Sequence, residues 1–111
     1  MVYFLNQDCE RAIKYTVPAV RVAVSETLSK KHAMSETRIA KGLGITQVAV
    51  SKYTNHKYSA RIGRIKRAIL AKGLEKKVVG LIISNGSAEK VGMLIDKAAS
   101  DEEIVKVALK A

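Results

Sequence analysis

The sequence predicts an all-α protein. Apolar residues return at three- and four-residue spacing over most of the 111 residues, the signature of helix faces turned to a core. Ser, Thr or Asp precedes several of those runs, where helix N-caps belong. Only LEKKVVGLII, followed by Asn85-Gly86, is β-branched enough to suggest a strand turning into a hairpin. A composition of 48% hydrophobic and 27% charged residues is that of a folded chain, and its length suits one compact unit.

Taken in order, Asp8 is placed to cap a short first helix carrying Ala12, Ile13 and Tyr15. That helix should end before Pro18, because a residue preceding proline resists the helical region. Pro18 then suits the first position of a second helix, in which Val20, Val24 and Leu28 form one stripe and which ends near 31–33. Ser35 caps a third helix through about Gly42, with Glu36 facing the positive helix end. Gly44 stops it, and Thr46 caps a fourth helix, QVAVSKYT.

Beyond NHKYSA, the residues Ile62, Ile65 and Ile69 line a fifth helix that breaks at Gly73. Helix is preferred over hairpin for LEKKVVGLII because helical spacing continues after it: Ser87 caps a run with Val91, Leu94, Ile95 and Ala98 inward. Ser100-Asp101-Glu102-Glu103 reads as a capping box opening a last helix with Ile104, Val105, Ala108 and Leu109 inward.

The stretch IAKGLGITQVAVSKY sets Gly42 and Gly44 almost side by side, although glycine costs about 1 kcal/mol relative to alanine inside a helix. Two short helices joined by a tight turn account for this. Ala40 is small where the second helix crosses over it, and Gly44 supplies the positive φ that reverses the chain. Gly42 either eases a close approach or lies at a frayed helix end. This is the pattern of a helix-turn-helix unit, whose second helix enters the major groove. Ile39, Leu43, Ile45, Val50 and Tyr53 then lock the unit to the rest of the protein. By subtraction Thr46, Gln47, Val48, Ser51, Lys52 and Asn55 face outward as candidate base readers. Gln47 has the amide that pairs bidentately with adenine, or it touches phosphate alone; Ser51 and Lys52 suit base or phosphate, and Val48 could meet a thymine methyl or pack inward.

Charge points the same way. The net charge is +10, and residues 35–67 concentrate it, with eight Lys or Arg against Glu36 alone. Such a segment is built to meet an anion. Lys57, Tyr58, Arg61 and Arg64 follow the reading helix and are the candidates for gripping the sugar-phosphate backbone.

Other classes find little support. Cys9 is alone, and neither His32 nor His56 has ligand-like spacing to it, so neither a metal nor another cofactor is expected. No nucleophile with its base and no phosphate-binding glycine loop stands out, so an enzyme is not expected. The longest apolar run, 78–83, is far below the roughly 18 residues of a membrane span, and MVYFLNQDCE does not read as a secretion signal; a cytoplasmic protein is expected.

The chain resembles the helix-turn-helix domains of the phage-repressor-like superfamily, and more closely a group of small archaeal predicted transcriptional regulators. CERAIKYTVPAVR and IAKGLGITQVAVSKY carry the resemblance, over roughly residues 8–60. It implies sequence-specific binding of double-stranded DNA, commonly as a homodimer, with matching residue types at Ala40, Gly44, Ile45, Thr46, Gln47, Val50, Ser51 and Tyr53. Two departures stand out: Asn55-His56 replaces a more usual Ser-Gly pair, and the C-terminal third lacks the cysteines of many archaeal relatives.

The expected organisation is a helix-turn-helix DNA-binding region, 1–72, with additional C-terminal helices, 73–111, in the same compact unit. The latter, nearly neutral and rich in apolar residues, would serve packing or dimerisation. The expected function is a transcription regulator. A non-specific architectural nucleic-acid-binding protein and an antitoxin-like interaction module are the rivals.

Overall fold

In a computed structural model, which describes the backbone of residues 2–110 and the side chains of residues 10–110, the chain is organised around one long central helix. This helix, α1 (Val2–His32), is buried at every residue from Ala19 to Glu26 except the half-buried Arg21. A helix apolar on all sides needs neighbours all round. The other six helices of the described residues supply them, each touching α1: α2 (Glu36–Leu43), α3 (Gln47–Thr54), α4 (Ala60–Lys72), α5 (Lys76–Ile83), α6 (Ala88–Ala99) and α7 (Glu102–Lys110).

The expected break at Pro18 is absent, and α1 runs through both segments with Pro18 inside it. Asp8 lies within the helix rather than before it, and its side chain falls outside the described ones. An interior proline removes a hydrogen bond and costs on the order of 3 kcal/mol. Here that is outweighed by burial of Ala19, Val20, Val22, Ala23, Val24 and Leu28, each worth on the order of 1 kcal/mol or more.

Most other elements follow their sequence signals. Ser35, Thr46, Ser59 and Ser87 each accept a hydrogen bond from the backbone N–H three residues on, which fixes the starts of α2, α3, α4 and α6. Gly73 ends α4 with φ +72°, and Ile62, Ile65 and Ile69 are buried. The stretch that could have been a hairpin is helix α5. Asn85 follows it in the left-handed region at φ +61°, and no strand occurs among the described residues.

Two details of the last helix are corrected. Its cap is Asp101, not Ser100: Asp101 Oδ1 accepts from the N–H groups of Glu103 at 3.0 Å and Ile104 at 3.2 Å, while Ser100 closes α6. A carboxylate is the better acceptor at a positive helix end, and Lys72 Nζ lies 2.9 Å from both its oxygens, tying the end of α4 to the start of α7. Partial burial alone would raise the Asp101 pKa, but Lys72 and the two N–H groups hold it below the usual carboxylate value. Leu109, expected inward, is exposed, because Ile104, Val105 and Ala108 already fill the face toward α1 and α4.

The C-terminal helices bury much of their apolar surface within the chain, while Ile83, Met93 and Leu109 stay exposed. Val78, Ile82, Val91, Ile95, Ile104 and Val105 join the same buried cluster as Val24, Ile39 and Ile65. Residues 73–110 thus complete the core that α1 to α4 begin. Among the described residues no helix is long and apolar enough to cross a membrane.

Candidate nucleic-acid interface

The basic middle of the chain folds into two short helices set against each other. Gly44 takes φ +69° and donates to the carbonyls of Ala40 and Lys41, and the Ile45 N–H reaches Ala40 as well, so α2 ends in a tight left-handed cap. Three residues later α3 begins. Ala40 is buried beneath the pair, Ile39, Leu43 and Val50 are in the core, and Ile45 and Tyr53 pack half-buried against it. Two side-chain bonds fix the crossing: Thr37 Oγ1 donates to Gln47 Oε1 at 3.2 Å, and Thr54 Oγ1 to Glu36 Oε2 at 3.1 Å.

Gly42 also finds its reason, and it is remote in sequence. A Cβ there would stand 2.8 Å from Cγ2 of Ile82. Any side chain at position 42 would therefore force Ile82 of α5 to shift. Arg38 reinforces the contact. Its guanidinium donates to the carbonyls of Ile82 and Ile83 and, at 3.0 Å, to Asn85 Oδ1, capping the C-terminal end of α5.

Of the candidate base readers, Gln47, Val48, Lys52 and Asn55 are exposed and Ser51 is half-buried, and together they form one outward stripe of α3. Val48 is 67% exposed, so it does not pack inward. Gln47 keeps its amide NH₂ free and its carbonyl oxygen can accept a second bond. Thr46 is exposed, its hydroxyl oxygen engaged as the cap of α3. Asn55 is turned back on the helix, its amide donating to the Ser51 carbonyl at 2.8 Å and hydroxyl at 3.3 Å.

The candidate backbone contacts divide. Lys57 and Arg64 are exposed. The Arg61 guanidinium lies 4.4 Å from the centre of the Tyr15 ring. Tyr58 turns inward, its hydroxyl donating to Glu26 Oε2 at 2.7 Å and accepting from Lys66 Nζ at 3.0 Å.

Glu26, on the buried stretch of α1, is the residue that the sequence reading missed. Its carboxylate receives Tyr58, Lys66 Nζ at 3.0 Å and His56 Nδ1 at 2.8 Å. Burial alone would raise its pKa, yet Tyr58, Lys66 and His56 together hold it below the ordinary carboxylate value. Lys66 is lowered by burial but raised overall by Tyr58 and Glu26, and the Tyr58 hydroxyl is pushed up by burial and by Glu26. His56 takes the left-handed backbone, φ +59°, that a glycine would otherwise occupy in this loop. A lone acid inside VAVSETL was the available signal, since a buried carboxylate needs partners. Lys66 and Arg38 thus serve the fold, while Lys41 on α2, Lys52 on α3 and Lys57 just after α3 remain as exposed cations of the pair, and Arg64 and Arg67 are exposed on α4.

Among the described residues no group of three or more His, Cys, Asp or Glu is placed to hold a metal. Compared with models of known protein families, with curated proteins and with solved structures, the chain matches none.

Proposed function

We propose that the α2–α3 pair is a helix-turn-helix unit and that the protein binds double-stranded DNA in a sequence-specific manner as a transcription regulator. The observation that carries this reading is the outward stripe of α3. Gln47, Val48, Ser51 and Lys52 stand together on a short helix that follows the tight Gly44 turn, with the exposed cations Lys41 and Lys57 on the segments before and after it. A rigid helix with hydrogen-bonding and methyl-bearing side chains at its start is what major-groove readout requires. Lys57 and Arg64 supply the sequence-independent attraction to phosphates, with Arg61 adding to the field. Regulation follows from occupancy of the site.

Paired binding is part of this reading. One such helix contacts few base pairs, whereas two copies on a twofold site would read half-sites about 34 Å apart. Selection of bound duplexes from a random library tests the whole proposal. An enriched palindrome, bound more tightly than its scramble by several kcal/mol, is the expected result. Equal and steeply salt-dependent binding of every duplex would replace it with the architectural reading.

A further inference from the structure

On the side of the molecule formed by the C-terminal helices, a half-open cleft of about 350 Å³ lies between α5 and α6, reaching the turn at Gly73. Its size is at the lower end of small-molecule sites. The apolar part of the lining is Leu74, Val78, Leu94 and Ala98, of which Leu74 and Leu94 remain half-exposed although the core beneath them is complete. The polar part is cationic. Lys77 and Lys97 line the cleft and, among the described residues, neither forms an ion pair. The one acid in the lining, Asp101, is already occupied by Lys72 and by two backbone N–H groups.

From this charge arrangement we infer that the cleft is a binding site for a small amphipathic carboxylate. The hydrocarbon part lies on Leu74, Val78 and Leu94, and the carboxylate is met by Lys77 and Lys97. A neutral apolar molecule would leave the two ammonium groups unused, and a cation would be repelled by them. Removing the hydrocarbon from water supplies the affinity, while charge-assisted hydrogen bonds supply the preference for an acid. The inference does not rest on DNA binding. One wall of the cleft is nevertheless α5, the helix that Gly42 and Arg38 join to α2.

Titration of the full chain with butyrate, hexanoate, octanoate and 1-octanol, followed through the methyl resonances of Leu74, Val78 and Leu94, tests it. Saturable shifts at these methyls are expected, with affinity rising about fourfold per added CH₂. Octanoate should bind about tenfold more tightly than octanol, and Lys77→Met with Lys97→Met should remove that advantage while octanol still binds. Retained octanol binding also reports that the variant is folded. The inference is overturned if the methyls show no saturable shift, if octanol binds as well as octanoate, or if the double variant binds octanoate unchanged.

Discussion

At the scale of single residues, roles were readable where a neighbour in sequence sets them and hidden where a distant element does. Gly44 belongs to the first kind, since a tight turn demands it whatever packs nearby, and Ala40 is explained by α3, the next element along the chain. Gly42 belongs to the second, because only Ile82, forty positions on, explains it. Gly42→Ala should therefore destabilise the protein by about 1–2 kcal/mol, despite alanine's better helix propensity, and trimming Ile82 to alanine in the same chain should make the two changes less than additive. Denaturant midpoints of the two single variants and the double check this. Glu26 is the other such residue. Glu26→Gln leaves Lys66 without its counter-charge and should cost about 3 kcal/mol. Its pH signature has a definite sign. A carboxylate held below its ordinary value of 4.5 contributes stability that is present above that pH and is lost as pH falls through the folded value. Lys66 and Tyr58, both raised, contribute below their ordinary values of 10.5 and 10.0 and lose that contribution as pH climbs through the folded ones. Urea midpoints against pH should thus fall at both extremes in the parent and be flatter in Glu26→Gln.

Helix by helix, local signals located the starts of α2, α3 and α6, because a Ser or Thr hydroxyl capping the third N–H is a contact within four residues; Ser59 caps α4 in the same way, although the sequence marked that helix only by its isoleucines. Local signals failed at Pro18. There the rule that proline ends a helix is sound locally, but α1 is enclosed by six helices and their packing overrides it. The end of α5 was unreadable for a related reason. Its cap is Arg38, a side chain from α2 that the sequence suggested only as one more cation. Arg38→Met should cost about 1 kcal/mol and speed amide exchange at 84–86 more than in α3. Equal acceleration in α3 and in that turn would instead mean that Arg38 supports the protein globally.

For the whole molecule, seven helices of the described residues share one core, and the C-terminal helices, expected to serve packing or dimerisation, contribute to that core. The central claim is that the exposed stripe of α3 reads sequence rather than only attracting phosphate. The most direct measurement compares Gln47→Ala with Arg64→Ala on a selected duplex and on its scramble over a range of salt. The account predicts that Gln47→Ala lowers the preference for the selected duplex by about 1–3 kcal/mol and leaves the salt slope unchanged. Arg64→Ala should weaken both duplexes alike and reduce the slope by about 1. If Gln47→Ala leaves the preference untouched, or weakens both duplexes as Arg64→Ala does, α3 is not a reading helix.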